Sequence, residues 1–134
     1  TERFVGIDLD SGTQAWTTEV SGEFVRPHTA GTDDTVFVYP VFSDANTFYA
    51  LDVDTGAVRW EEDATGFYDF PPVVLESAVV IPETWDDLDE GLQAREHKSG
   101  EQIAASDEVE LRFGATGSGR TMVNYGERAV AYRL

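Results

Sequence analysis

The sequence contains a short pattern, ending in glycine and followed by a tryptophan, that recurs at a fixed distance. Gly12 and Trp16 close the first copy, and Gly56 and Trp60 close the second copy, 44 residues further on in both cases. A third copy, another 44 residues on, keeps the glycine and lacks the tryptophan. Such a fixed spacing indicates a chain built from units of one type, each of which buries its apolar face against its neighbours.

The length of the repeat indicates the kind of unit. A period in the forties with strand-like flanks is typical of β-propellers, in which each blade is a four-stranded antiparallel meander. We therefore predict an all-β fold of about three blades, which is either a partial propeller or one that a second copy completes. The predicted repeat units of this single domain cover residues 1–22, 23–66, 67–108 and 109–134.

Short β-branched or alternating segments predict the strands of these blades. In the clearest unit, strands are predicted at 24–29, 35–39, 47–52 and 57–61, with turns at 43–46 and 54–56. In the next unit, strands are predicted at 72–75, 78–81, 92–97 and 102–105, with an acidic loop at 85–91. A last unit begins near residue 111 and stops after 128–134. Residues 86–98 also carry helix formers at helical spacing, but Gly91 and the 44-residue register favour strand.

The glycines have a conformational role in the predicted tight turns. A strand that reverses within two or three residues favours a positive φ, and Gly12, Gly56 and Gly100 occupy that position in the three copies. Asp8 and Asp52 precede the glycine by four residues, and we expect their carboxylates to accept hydrogen bonds from N–H groups of the turn. The tryptophan then falls in the outermost strand, where its ring can cover the gap between adjacent sheets and bury about 200 Å².

The second copy, Ala50-x-Asp52-x-x-Thr55-Gly56-x-x-x-Trp60, resembles the tryptophan-docking repeat of the PQQ (pyrroloquinoline quinone) enzyme-like β-propellers. The resemblance extends over nearly the whole chain, although the first copy has Gly6 in the alanine's place and the third has Ala104 in place of the ring. The residues that carry the structural motif are Asp8, Gly12, Trp16, Ala50, Asp52, Thr55, Gly56, Trp60 and Gly100.

The resemblance implies the fold but leaves the activity open. Members range from quinone-dependent alcohol and glucose dehydrogenases to cofactor-free scaffolds, including a lipoprotein that helps to assemble outer-membrane barrels. The enzymes need a catalytic carboxylate beside calcium, an aromatic floor under the quinone and basic residues near its carbonyls. Trp16 and Trp60 match the structural motif and not that floor, and the sequence lacks the cysteines that cover the quinone in many alcohol dehydrogenases. We predict no cofactor here, because PQQ with calcium fits only a complete parent protein of about six to eight blades.

The charge of the chain indicates adaptation to high salt. Of the 134 residues, 26 are acidic and 9 are lysine or arginine, which gives a formal net charge of -17. Self-repulsion on this scale destabilises a compact state at low salt, whereas in about 1 M salt the screening length falls to about 3 Å. The acidic residues run from Glu2 to Glu127, so an acidic patch made for a basic partner is the weaker interpretation. No basic stripe is present to meet phosphates, and nucleic acid is not predicted as a partner.

Cysteine content, hydropathy and the first residues leave the compartment open. Without cysteine there is neither a disulfide nor a thiolate metal site. No apolar run approaches the ~18 residues of a membrane span. The chain begins at Thr1 without a signal-peptide pattern, so such a peptide is absent, removed or outside this sequence. Only the family resemblance favours an extracytoplasmic or cell-surface location.

Other motifs give little support for catalysis or metal binding. Residues 114–121 mimic a phosphate-binding loop with arginine in the lysine's place, but a strand-like segment follows where a helix is required, so we predict a hairpin loop. The aspartates of the glycine turns lack the spacing and flanking helices of an EF-hand, and His28 and His97 have no partner at zinc-ligand spacing. No serine lies in a nucleophile elbow. Weak candidates for a cation site are Asp86, Asp87, Asp89 and Glu90.

Turn alternation along a meander predicts two different faces. The Thr-Gly turns lie on one face, and the longer loops lie on the other, where aromatic residues of the kind that anchor protein interfaces collect. These residues are Phe67, Tyr68, Phe70 and Trp85, and packing between blades is their alternative role. We predict a non-enzymatic binding or scaffold module whose partner is a protein or further blades, with a homodimer as another possibility. The alternative is a fragment of a quinoprotein dehydrogenase whose catalytic residues lie outside this chain.

Overall fold

The computed structural model describes residues 2–20, 28–39, 47–63, 72–82, 92–106, 114–117, 120–125 and 128–133. These ranges contain thirteen β-strands and no helix. In chain order the strands are β1 (Glu2–Ile7), β2 (Gln14–Val20), β3 (His28–Gly31), β4 (Thr35–Tyr39), β5 (Thr47–Asp52), β6 (Val58–Asp63), β7 (Val73–Val74), β8 (Ala78–Pro82), β9 (Leu92–Glu96), β10 (Gln102–Ser106), β11 (Gly114–Gly117), β12 (Arg120–Tyr125) and β13 (Arg128–Arg133).

The strands form four antiparallel sheets in which successive strands are hydrogen-bonded neighbours. The sheets contain β1–β2, β3–β6, β7–β10 and β11–β13, and we number these blades one to four. The first strands of the last three blades lie side by side, with β3 packed against β7 and β7 packed against β11. These strands therefore line the inner side of a curved array, as blades do around a propeller axis. The prediction of an all-β fold with four-stranded antiparallel blades in a partial propeller is confirmed.

Several strands coincide with their predicted bounds, and others are shifted. The strands at 35–39 and 47–52 have the predicted limits, and they pair in the register Phe37 opposite Ala50. The strand predicted at 57–61 begins one residue later and extends to Asp63, because the carbonyl of Ala57 accepts the turn-closing hydrogen bond from Asp52 N at 2.8 Å. The strand predicted at 24–29 corresponds to β3, which runs to Gly31; residues 21–27 lie outside the described residues.

Strand pairing in the second half of the chain excludes one predicted helix and corrects one predicted loop. The helical alternative for 86–98 is wrong over Leu92–Glu96, because these residues pair with β8 on one side and β10 on the other. Part of the segment predicted as a loop at 114–121 is strand, since β11 pairs with β12 through Thr116 opposite Thr121. A phosphate-binding loop would open a helix at this point, whereas β12 is a strand.

The core lies between blades, because the middle strands are covered on both faces. Phe37 and Tyr39 on one face of β4 pack with Phe48 and the buried residues of β8, between the second and third blades. Val38 on the opposite face packs with Leu51 and with residues of the first blade. The alternation of neighbouring side chains between the two faces is what lets one strand contribute to both clusters. Each blade is thus stabilised by its neighbours, as expected of a repeat array.

Within the described residues, no helix is long and apolar enough to cross a membrane. The predicted unit boundaries, which follow residues 22, 66 and 108, stay predictions because these positions lie outside the described residues.

Candidate functional site

A carboxylate closes each glycine turn by accepting hydrogen bonds from the backbone. In the second blade, Asp52 Oδ1 accepts from the N–H groups of Asp54 and Thr55 at 3.1 and 2.9 Å and from the Thr55 hydroxyl at 2.9 Å. Gly56 follows with a φ of 72°, in the left-handed region that favours glycine, and its N–H donates to Asp52 O. The sequence thus folds into a turn whose donors are satisfied locally.

The same geometry is repeated in the first and third blades. Asp8 accepts from both the N–H and the hydroxyl of Ser11 at 2.7 Å, ahead of Gly12 with a φ of 69°. In the third turn Glu96 takes the aspartate's place and accepts from the N–H groups of Lys98 and Ser99 at 2.9 and 2.7 Å. The longer side chain therefore reaches the same donors.

These hydrogen bonds lower the pKa of the turn carboxyls, because they stabilise the ionised form. The pKa of Asp52 falls from 3.8 to about 2, chiefly through its hydrogen bond from Arg59 and then through those from Thr55. The pKa of Asp8 is lowered mainly by the Ser11 N–H, and that of Glu96 mainly by the Ser99 N–H. All three carboxyls are therefore held as anions that accept structural hydrogen bonds.

A pH dependence of stability follows from these shifts. A carboxyl whose pKa is lowered by folding stabilises the native state above its unfolded pKa, and that contribution is lost as the pH falls through the folded value. We expect the melting temperature in high salt to fall between pH about 4.5 and about 2, the window set by the ordinary value of Glu96 and the folded value of Asp52. Asp52→Asn removes one such group, so the melting temperature of this variant should decrease less over this pH range. An equal decrease in both proteins would contradict the assignment.

Each tryptophan of the repeat docks on the glycine turn of the following blade. Trp16 Nε1 donates to Val53 O at 2.8 Å, and Trp60 Nε1 donates to His97 O at 2.8 Å, 37 residues further along the chain in both cases. The indole rings lie directly over Gly56 and Gly100. A Cβ at Gly100 would come within 2.7 Å of the Trp60 ring, and a Cβ at Gly56 would overlap the Trp16 ring. These glycines are therefore required by the ring as well as by the positive φ.

A β-bulge accompanies each pair of outer strands. The register shifts where the strand after the turn has one extra residue, at Ala15, Arg59 and Ile103 in the three blades. The bulge precedes the docking position, so that Trp16 stands opposite Gly6 and Trp60 stands opposite Ala50. Bulges bend a strand and increase its twist, and we infer that this one turns the indole towards the next blade.

Trp60 has the more extensive aromatic environment. Its ring is stacked on Phe48 with a centroid distance of 5.5 Å and an interplanar angle of 20°, and it is 6.1 Å from Phe37. We expect Trp60→Ala to lower the free energy of unfolding by about 3–5 kcal/mol, since it removes a large ring and leaves a cavity between blades. Urea denaturation at constant salt would measure this. Val58→Ala is the matched control on the same strand, because Val58 is exposed, and a similar cost for both variants would contradict the docking role.

Ion pairs join the second and third blades beside the docked ring. Lys98, the only lysine of the sequence, pairs with Asp34 at 2.8 Å, and Arg95 pairs with Glu62 at 2.8 Å. The pKa of Asp34 is held far below its usual range, first by the hydrogen bond from Lys98. Since Lys98 and Asp34 are substantially exposed, this pair helps to align the two blades and adds little to the free energy of unfolding.

An open groove of about 460 Å³ lies between the first and second blades. Its walls are mainly apolar and include Phe4, Trp16, Val38 and Leu51. Asp8 and Asp54 lie among its lining residues. Among the described residues, no group of three or more histidine, cysteine, aspartate or glutamate side chains could hold a metal ion. The arrangement can accommodate apolar surface.

Several predicted site residues lie outside the described part of the chain. These are the cation candidates Asp86, Asp87, Asp89 and Glu90 and the aromatic residues Phe67, Tyr68, Phe70 and Trp85, whose roles stay predictions. The structure brings together the motif residues as two docked interfaces, at Gly56 and Gly100, whereas none of the described residues covers Gly12.

His97 has a role that sequence reasoning missed. Residue spacing addresses His97 only as a zinc ligand. In the structure its carbonyl accepts the hydrogen bond from the Trp60 indole N–H, and the centroid of its buried ring lies 5.4 Å from that of Phe37. Its Nε2 is buried and has no hydrogen-bond partner among the described residues. The sequence signal for this role is the position of His97, which follows Val53 by 44 residues and occupies the equivalent place in the next turn.

The docked repeats agree with a comparison against known families. The family model described as outer membrane protein assembly factor BamB, a PQQ-like repeat family, matches residues 2–131. The chain belongs to this PQQ-like repeat family. Among solved structures, the crystal structure of BamB from Moraxella catarrhalis is similar, with a TM-score of 0.65 and 16% sequence identity. The match covers 97% of this chain and 39% of that chain, so this chain spans well under half the length of that PQQ-like protein. No curated protein matches the sequence.

Proposed function

We propose that this chain is a non-enzymatic scaffold segment of a PQQ-like propeller and that it binds a protein partner through the loop face. The observation that supports this proposal is that carboxyl groups with a shifted pKa serve to close turns and to form ion pairs. Among the described residues, four carboxyls have a clearly shifted pKa, and in all four the pKa is lowered by turn hydrogen bonds or ion pairs: Asp8, Asp34, Asp52 and Glu96. General acid–base catalysis near neutral pH favours groups with a pKa near the working pH, and these carboxyls are shifted the other way.

The two faces of the array support the loop face as the binding surface. On the turn face, backbone carbonyls at Val53 and His97 and the turn N–H groups are already engaged in docking and in closing the turns. Turn alternation along the meander predicts that the longer loops, with the aromatic residues Phe67, Tyr68, Phe70 and Trp85, lie on the opposite face. Aromatic side chains in such a position suit a protein interface. The name of the matching family model, outer membrane protein assembly factor, is in keeping with such a role.

Site-specific photo-crosslinking in the source cells tests this function. A photoreactive residue at Tyr68 should yield one reproducible adduct with a defined protein, whereas the same residue at Asp54, which is exposed on the turn face, should not. Phe67→Ala combined with Phe70→Ala should reduce the Tyr68 adduct while the protein retains its melting temperature. Equal adducts from both faces, or none from Tyr68, would refute the proposed surface.

The dehydrogenase alternative predicts a different result. Addition of PQQ with calcium to the purified chain should leave its absorbance and melting temperature unchanged if the scaffold proposal is correct. A saturable shift in either quantity would support a quinone-binding fragment instead.

We also propose an extracytoplasmic location, in line with the family's description as an outer membrane assembly factor. Protease accessibility of the parent protein in cells of which only the cytoplasmic membrane is left intact, with a cytoplasmic protein as control, would test it. Resistance to protease until the cells are lysed would count against this location.

A further inference from the structure

The junction between the first and second blades and the junction between the second and third blades differ in the side chains beside the docked tryptophan. We call them the first and the second junction. Counting 44 residues along the chain gives the equivalent positions, which are Thr18 and Glu62, Tyr49 and Gln93, and Leu51 and Arg95. Tryptophan docking is common to both junctions, so it cannot distinguish one from the other. A mainly apolar set in the first junction thus corresponds to a polar set in the second.

The first junction contains no ionised group at these positions. Tyr49 and Leu51 are 3% and 0% exposed, and they belong to the apolar cluster against which Trp16 packs. The Thr18 hydroxyl donates a hydrogen bond to Gly56 O, the carbonyl of the glycine that the indole ring covers. The hydroxyl therefore satisfies this carbonyl without bringing a charge into the junction.

In the second junction a guanidinium group satisfies the equivalent carbonyl. Arg95 Nη1 donates to Gly100 O at 2.7 Å, Nη2 donates to Glu62 Oε1 at 2.8 Å, and Nε donates to Gln93 Oε1 at 2.9 Å. The Arg95 side chain is 15% exposed, and Gln93 is 4% exposed. Each nitrogen of the guanidinium thus has an acceptor, and the carboxylate that neutralises it comes from the neighbouring blade.

A mixture of the two sets is disfavoured in both directions. A threonine opposite Arg95 would leave a largely buried guanidinium without its carboxylate. A glutamate opposite Leu51 would place a carboxylate beside Gly56 O, and the leucine offers no donor to it. Removing one partner from a buried ion pair is costly, because the remaining charge stays desolvated. Such penalties against the wrong partner are what makes an interface specific.

We propose that Glu62, Gln93 and Arg95 form a specificity-determining contact that fixes the order of the blades. The surface of the third blade accepts a blade whose outer strand presents glutamate at this position, as β6 does, and rejects one that presents threonine, as β2 does. The proposal concerns residues outside the repeat motif and does not rest on the proposed function. In an array of similar units, this discrimination prevents a blade from docking out of order during folding.

Melting temperatures of the full chain at fixed multimolar salt test the proposal at both junctions. At the second junction the variants are Glu62→Thr, Arg95→Leu and their combination, which converts the pair to that of the first junction. At the first junction the variants are Thr18→Glu, Leu51→Arg and their combination, which is the reverse conversion. Each set is a double-mutant cycle that compares matched with mismatched pairs.

We expect each single substitution to lower the melting temperature and the second substitution of each pair to recover about half of that loss or more, because the combination leaves no unpaired charge. Thr17→Glu is the matched control, since it adds the same charge at an exposed position of β2 and Leu51→Arg should not compensate for it. Thr18→Glu combined with Arg95→Leu changes both junctions without matching either, so these two losses should add.

Additive losses at the second junction would overturn the proposal, because the surface of the third blade would then not distinguish threonine from glutamate. At the first junction, a combination no more stable than Thr18→Glu alone would also overturn it, since the pair would not carry its specificity to another junction. If no first-junction variant folds, the second-junction cycle decides alone: recovery supports the proposal and additivity refutes it.

Discussion

Gly56→Ala should lower the free energy of unfolding by about 3 kcal/mol, whereas Gly12→Ala should lower it by only about 1 kcal/mol. Both glycines occupy the same position of the same turn, and their φ angles, 72° and 69°, differ by very little. An alanine at either position therefore has the same backbone strain, of about 1–2 kcal/mol. The difference in unfolding free energy between the two variants therefore measures the effect of the side chains that cover the turn at Gly56.

At Gly56 the added methyl group meets the ring of Trp16 and, at 2.7 Å, the hydroxyl oxygen of Thr18. If the ring moved away from the methyl group, it would lose the hydrogen bond from its N–H to Val53 O and its packing in the cluster between the first two blades. Overpacking of this kind typically costs about 1–3 kcal/mol in addition to strain. At Gly12 the methyl group enters open space.

Urea denaturation at fixed high salt, followed by tryptophan emission, would measure both variants. Gly100→Ala is a second test, since its Cβ would lie 2.7 Å from the ring of Trp60, and it should behave like Gly56→Ala. Equal costs at Gly12 and Gly56 would show that the indole moves aside freely and that docking does not hold the blades together.

The repeat motif predicted the local geometry well, because that geometry depends on residues close in sequence. The strands at 35–39 and 47–52 follow from β-branched and aromatic residues between turn residues. The positive φ of Gly12, Gly56 and Gly100 follows from the need to reverse the chain in a few residues. Such features require no knowledge of what the blade packs against.

The contacts between blades could be predicted only in outline. The motif placed Trp60 in an outer strand, but the acceptor of its indole N–H is a backbone carbonyl, which every residue has. The residue type of His97 therefore carries no signal, and only its spacing of 44 residues from Val53 marks it. The β-bulge at Arg59 carries no sequence signature, although it recurs every 44 residues. The pair of Lys98 with Asp34 depends on how neighbouring sheets are placed relative to each other, which local sequence does not fix.

Dilution from multimolar salt into about 10 mM salt should unfold the domain or loosen it at 25 °C, because screening is lost. The screening length rises from about 3 Å at 1 M to about 30 Å at 0.01 M, a distance comparable with the size of a small domain. A formal net charge of -17 then repels itself across the whole molecule. Since the total stability of a domain is about 5–15 kcal/mol, a change of several kcal/mol decides whether it stays folded.

The ion pairs between blades stabilise the fold more at low salt, but their contribution is smaller than the repulsion from the net charge. Lys98 with Asp34 and Arg95 with Glu62 become stronger as salt is removed. The exposed pair of Lys98 with Asp34 contributes about 0–1 kcal/mol. Arg95 with Glu62 is partly buried, but the sequence has only 9 lysine and arginine residues with which to form more pairs. Net repulsion should therefore dominate, and the melting temperature should rise steadily with salt.

A matched variant separates screening from other effects of salt. Asp10→Asn, Glu19→Gln, Glu61→Gln and Asp63→Asn change four exposed acidic residues, which reduces the formal net charge from -17 to -13. If repulsion causes the instability, this variant should need less salt to reach half of its maximal stability, while its melting temperature in multimolar salt stays close to that of the parent. Salt also strengthens the burial of apolar surface, an effect that does not depend on net charge. Identical salt dependence of the two proteins would attribute the stabilisation to burial, and an unchanged melting temperature between dilute buffer and multimolar salt would refute adaptation to salt altogether.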